Sequence, residues 1–150
     1  MEDDIPQKAR KLLEGLSKGL GHELEAVTLE GMQVELAQKG LIRCNFVIPK
    51  HLSDQDGNWQ AGAIAVLVDN VGAAAIFSSF GHLKASVAFD ISYYSTAKIQ
   101  EEVEIEAKVA GHKGKLASVV VKIKKKDSGE MIAMGKQWMT SVNVPQLSRL

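Results

Sequence analysis

The chain has 150 residues, 45% of them hydrophobic, which lets one domain bury a core without disulfides or structural metal. Eighteen basic residues balance eighteen acidic ones, so no overall field draws in nucleic acid, and any anionic ligand must be met locally. The acidic start Met1-Glu2-Asp3-Asp4 lacks the basic and apolar segments of a secretion signal, and His22, His51, His82 and His112 show no metal-ligand spacing, so an intracellular protein without metal or cofactor is expected.

Ile5, Ala9, Leu12, Leu13, Leu16 and Leu20 repeat along one helical face, with Asp4 and Pro6 suited to its start and Gly19 or Gly21 to its stop. That spacing predicts a helix over about 6 to 18. Leu24 to Ala37 and Gly40 to Ile48 are richer in β-branched residues and break near Gln38-Lys39-Gly40, so they read as a hairpin. The single cysteine, Cys44, lies in the second of these runs and reads as a small half-buried residue rather than a nucleophile. Pro49 to Asn58 is loop by composition.

From Trp59 to Phe80 nearly every residue is small or apolar, and the alanine content favours helix over strand. A membrane span is not expected, because Asp69-Asn70 falls at the middle, where a charge costs a few kcal/mol in lipid. A helix apolar on all sides calls for enclosure by the rest of the protein. After Gly81 the period changes to two: Val87, Phe89, Ile91 and Tyr93 alternate with polar or small residues, as do Val103, Ile105, Ala107 and Val109. Turn-like His112-Lys113-Gly114-Lys115 and Lys126-Asp127-Ser128-Gly129 bracket two further strands, Leu116 to Lys125 and Glu130 to Val142. The sum is one α+β domain over residues 1–150 with a short flexible tail from about 143: a helix, then about six antiparallel strands curled around one long central helix.

Asp69 is the residue most out of place, since a carboxylate in an apolar helix loses several kcal/mol of hydration unless it is paired or hydrogen-bonded. An Asp satisfied by nearby backbone or hydroxyl donors is the ordinary explanation, and a general base the functional one. The helix start, Trp59-Gln60-Ala61-Gly62, offers free backbone N–H groups and a positive dipole end to an oxygen that gains negative charge, as every helix start does.

The run from Gly57 through Gly62 to Leu67-Val68-Asp69-Asn70, then Ala85-Ser86-Val87 and Ile91-Ser92-Tyr93 before Ala97-Lys98, resembles the small, PaaI-like hot-dog acyl-CoA thioesterases. Those proteins carry a His-Gly-Gly helix start and an acidic residue nine positions after that His. The resemblance spans about residues 5 to 142 and implies the hot-dog fold and hydrolysis of an acyl-CoA thioester, with no cofactor. It makes Asp69 the general base or nucleophile, the Ala61 amide the oxyanion donor and Ser86 a supporting hydroxyl, with Gly62 and Asn70 as substrate contacts. Asp54 falls where the family places an Asn or Gln that orients water. Two departures stand out: Gln60-Ala61-Gly62 replaces His-Gly-Gly, and Asp54 is acidic. A Gln donates a hydrogen bond but shuttles no proton.

Gln60 and Asp69 are nine residues apart, about half a turn off in direction and roughly 13 Å along a helix axis, so one chain does not bring both to one carbonyl. An isologous dimer does, by setting the helix start of one copy against Asp69 of the other; a homotetramer is the further assembly expected. Asp54 would then approach Asp69 from the second copy. The basic run Lys122 to Lys126 is a solvated strand face and turn before it is a CoA phosphate site, and Trp59 and Trp138 suit core or interface packing as well as an acyl pocket. Ser148-Arg149-Leu150 is similar to the Ser-Lys-Leu peroxisomal address, which makes the peroxisome the expected compartment and the cytoplasm the alternative. The competing functional reading is a non-hydrolytic hot-dog protein that binds acyl-CoA, and a purely structural oligomer ranks below both.

Overall fold

The structure is a computed structural model that describes residues 4–19, 23–82 and 84–141. Its elements in chain order are α1 (Ile5–Ser17), α2 (Glu23–Leu29), β1 (Gln33–Gln38), β2 (Leu41–Val47), a single 3-10 turn (Lys50–Leu52), α3 (Ala61–Phe80), β3 (Lys84–Tyr93), β4 (Glu102–Lys113), β5 (Leu116–Lys125) and β6 (Met131–Ser141). His22, Leu20, Val142 and the Ser148-Arg149-Leu150 tripeptide lie outside the described residues.

α1 forms where its periodicity places it and buries Ala9, Leu13 and Leu16, while Leu12 stays half exposed at its edge. Arg10 pins α1 to β1 by donating from Nη1 to the Val34 carbonyl at 2.9 Å. The first departure from expectation is α2: residues 24–29, read as the beginning of a strand-like run from Leu24 to Ala37, are helical. Glu23 and Glu25 in the first turn complement the helix dipole, and Thr28 donates from Oγ1 to the Leu24 carbonyl one turn back, at 2.9 Å. These local bonds outweigh the weak strand preference of two β-branched residues. The hairpin therefore begins only at Gln33.

The six strands form one antiparallel sheet in the order β1-β2-β4-β5-β6-β3. β4, β5 and β6 follow one another as a meander, whereas β3 crosses over to pair with the far side of β6 and forms a sheet edge. This is the α+β hot-dog arrangement expected from the sequence. α3 lies on one face of the sheet, and Leu67, Val68 and Val71 of the helix are fully buried against inward residues such as Val119, Val121 and Ile105. Each such side chain contributes roughly 1.5–3 kcal/mol. Gly135 of β6 lets the helix sit that close, since a Cβ there would lie 2.5 Å from Val68 Cγ1. Gly81 closes α3 in the left-handed conformation at φ 75°, its N–H bonded to the Phe77 carbonyl at 2.8 Å.

Enclosure of α3 is incomplete, contrary to the sequence expectation. Ala61, Gly62 and Asp69 are exposed, and Ala65, Val66, Ala73 and Phe77 are only half-buried, so a stripe along the helix is left open in the single chain. The stripe runs beside β3, whose Val87, Phe89 and Tyr93 are also exposed. The outer sheet face differs in kind: Arg43 bridges Glu104 and Glu106, and across the next ladder Glu104 and Glu106 stand opposite Lys124 and Lys122. Lys125 and Lys126 pair with Glu101, Glu130, Glu35 and Glu102, so the basic run is a charge-matched surface. Trp59 is buried with its ring centroid 5.8 Å from that of Phe46, which makes it core.

Candidate active site

The predicted site residues fall into two groups on α3. The middle of the helix carries the first. Asp69 Oδ1 accepts a hydrogen bond from Gln137 Nε2, and Ser86 Oγ lies 3.5 Å from the same oxygen. Gln137 Nε2 also donates to Ser86 Oγ at 2.8 Å, closing a triangle between α3, β3 and β6. The sequence reading placed Asp69 in an enclosed apolar helix and called for a partner to compensate its charge; it is instead exposed in the single chain, and its partners are two neutral donors, one of them the expected kind of hydroxyl.

Gln137 is the residue that sequence reasoning missed. It is 1% exposed, and it occupies an inward position of β6 in step with Ala133, Gly135 and Met139. The period-two parity of that strand was the available signal. Room for the amide is made by Gly72 of α3, where a Cβ would stand 2.8 Å from Gln137 Oε1. Oε1 is buried and has no hydrogen-bond partner among the described residues.

The helix start carries the second group. Gln60 is the N-cap residue in extended conformation, φ −67° and ψ 135°, and its side chain caps nothing. Its Nε2 donates instead to the Ser53 carbonyl at 3.0 Å, tying it to the preceding loop. Ala61 and Gly62 are exposed, and the first-turn N–H groups of α3 have no intrahelical acceptors. Tyr93 of β3 donates from its hydroxyl to the Ala61 carbonyl at 2.8 Å and so fixes the first turn against the sheet edge. Partial desolvation of the hydroxyl raises the Tyr93 phenol above its ordinary value.

Asp54 sits in the loop ahead of the helix, where its Oδ1 accepts from the Asp56 N–H at 2.9 Å and the Asn58 N–H at 3.0 Å. One carboxylate oxygen is therefore committed to holding the loop. Asn70 turns its amide back on its own helix, donating from Nδ2 to the Val66 carbonyl at 2.8 Å. Asp69 and Ser86 are thus brought together, Gln60, Ala61, Gly62 and Asp54 form a separate cluster, and roughly 13 Å of helix lies between the two. Burial pushes the Cys44 thiol up to about 12, which leaves it without nucleophilic character.

One half of this arrangement is a carboxylate held by neutral donors, and the other is an open helix start with free amides. The sequence profile of the Thioesterase superfamily matches residues 56–132, from the loop ahead of α3 into β6, and the chain belongs to that superfamily. It is similar to acyl-coenzyme A thioesterase 13 of Mus musculus, at 32% identity over 135 residues that cover 88% of this chain and 93% of the relative. The crystal structure of zebrafish thioesterase superfamily member 2 superposes with a TM-score of 0.81 at 26% identity, over 90% of this chain and 96% of that one. The PaaI protein of E. coli, at 12% identity, shares the fold, with a TM-score of 0.74 over 91% of this chain and 95% of its own.

Proposed function

We propose that this chain is an acyl-CoA thioester hydrolase whose working site forms between two copies, the helix start of one facing Asp69 of the other. The observation that carries the reading is the open stripe of α3, which has Asp69 at its centre and exposed amides at its start. The thioesterase 13 relatives support the substrate class.

In this reading a water donates its proton to the Asp69 carboxylate as its oxygen attacks the thioester carbonyl carbon. The carbonyl oxygen becomes an oxyanion, held by the Ala61 N–H of the second copy and aided by the positive end of its helix. Collapse re-forms the carbonyl and breaks the C–S bond, the departing CoA thiolate takes the proton back from the Asp69 carboxyl and so restores the base, and the carboxylic acid product releases its own proton to solvent. Ser86 and Gln137 hold the base, and Tyr93 holds the amide turn. Gln60 Nε2 donates one hydrogen to the Ser53 carbonyl, and its second hydrogen is the donor that stands in place of an imidazole.

Two features support assembly through this side. β3 is an edge strand 10 residues long with Val87, Phe89 and Tyr93 exposed, and Tyr94 just beyond it is exposed too, the kind of edge that soluble proteins cover. On either side of Asp69 the adjoining α3 stripe is small and apolar at Ala61, Gly62, Ala65, Val66 and Ala73, which suits close packing of two helices about a twofold axis. A homotetramer would add contacts elsewhere. Peroxisomal delivery through Ser148-Arg149-Leu150 is a separate proposal that rests on sequence alone.

Free-thiol release from a panel of acyl-CoAs tests the reading, with Asp69→Asn run beside the wild type. Turnover by the wild type and its loss in the variant are expected, and equal activity in the two contradicts the proposal. The non-hydrolytic alternative has one specific observation in its favour, the Gln60 side chain bound to Ser53 and unable to carry a proton. Measurable CoA-ester binding with no turnover in either protein would establish it.

A further inference from the structure

We infer that Gln137 is the positioning residue that fixes the Asp69 carboxylate for attack, an inference that rests on the hydrolytic reading above. The case begins with an asymmetry. Gln137 is buried in a strand face otherwise made of Ala133, Gly135 and Met139, where an apolar side chain would fit the core. An amide kept there for folding would be paired at both ends, because a buried polar atom without a partner is unfavourable. Among the described residues this one is paired only toward the site: Nε2 serves Asp69 and Ser86, and Oε1, set against Gly72, has no partner.

The orientation of the amide follows from the partners. With Oε1 turned to the site, two acceptors would face each other at Asp69 and both Nε2 hydrogens would be stranded in the core. With Nε2 turned to the site, one hydrogen goes to Asp69 Oδ1 and the other to Ser86 Oγ, whose own hydrogen is then directed at the same carboxylate oxygen. The network converges on Oδ1 and leaves Oδ2 outside it. Asp69 is otherwise exposed on the open stripe of α3, so without this hold its side chain would be free to rotate. The amide therefore keeps one oxygen as an anchor and presents the other as the base. Gly72 is the second part of the device, because any larger residue there would collide with Oε1 and drive the amide from the site.

The test compares Gln137→Met, which keeps the length and removes the donor, with Gln137→Glu and Asp69→Asn in the free-thiol assay. Gln137→Met is expected to lower kcat about 10- to 100-fold with KM within about twofold, as loss of positioning does. Its thermal midpoint should hold or rise, because the orphaned Oε1 goes with the amide; a purely structural Gln would show the reverse pattern. Gln137→Glu should move the acid limb of the kcat profile to higher pH, since a second carboxylate would then face Asp69. Unchanged kcat in Gln137→Met overturns the inference, as does a Gln137→Glu profile that superimposes on the wild type. If Gln137→Met does not fold, the Gln137→Glu profile decides alone. If Asp69→Asn itself retains full activity, the hydrolytic reading fails; if Asp69→Asn is inactive and Gln137→Met is not impaired, only the role of Gln137 fails.

Discussion

The start and the middle of α3 are built on opposite principles. At the start, the polar groups are backbone amides left open by helix geometry, and the side chains around them are occupied elsewhere: Gln60 on the Ser53 carbonyl, Asp54 on the loop amides, Tyr93 on the Ala61 carbonyl. In the middle, the polar group is a carboxylate, and two side chains from strands, the buried Gln137 of β6 and the exposed Ser86 of β3, converge on it. The contrast teaches where each function can tolerate change. A backbone donor survives almost any side-chain replacement that keeps the helix, whereas the carboxylate depends on every group that aims it.

The largest expected effect is therefore at the middle. Asp69→Asn should reduce kcat by about 10²- to 10⁴-fold, the usual range for a lost general base, without a large change in melting temperature, since Asn keeps the shape and Asp69 is exposed. At the start, the change that breaks function is at the backbone. Ala61→Pro removes the N–H while suiting the first helical position, and the φ −67°, ψ 135° of Gln60 already match what a residue before proline prefers. Steady-state kinetics should show a loss of about 10²- to 10³-fold with the fold retained in circular dichroism. Gly135→Ala affects both regions through packing: a Cβ 2.5 Å from Val68 Cγ1 forces α3 off the sheet, and a denaturant midpoint should report about 1–3 kcal/mol of lost stability. The smallest effect sharpens the comparison. Gln60→His should raise turnover several-fold by restoring a proton carrier at the start, with no change in stability; equal or lower turnover would show that this start works through its amides alone.

Much of the architecture is legible in the residues. The α1 face, the hairpin break at Gln38-Lys39-Gly40, the apolar run of α3 and the period-two strands β4 and β5 all carry their structure locally. α2 is not legible in the same way, because Val27 and Thr28 argue for strand while the two glutamates and one back-bonded threonine settle on helix. The position of β3 beside β6 rather than β4 depends on long-range pairing that no local pattern encodes. Asp69 announces itself as a charge among apolar residues, and Ser86 came only through resemblance. Gln137 hides because a glutamine between Lys136 and Trp138 looks like surface. Only the inward parity it shares with Gly135 and Met139 separates it from those neighbours.

The central claim is that each site is shared between two copies, and complementation tests it most directly. Asp69→Asn and Ala61→Pro would be co-expressed and the mixed dimers assayed for thiol release. If one copy supplies the amide and the other the carboxylate, each mixed dimer regains one intact site, and a random mixture recovers about a quarter of wild-type activity from two inactive parents. Mixed dimers that form and stay inactive, or wild-type protein that turns over as a monomer, would contradict the account.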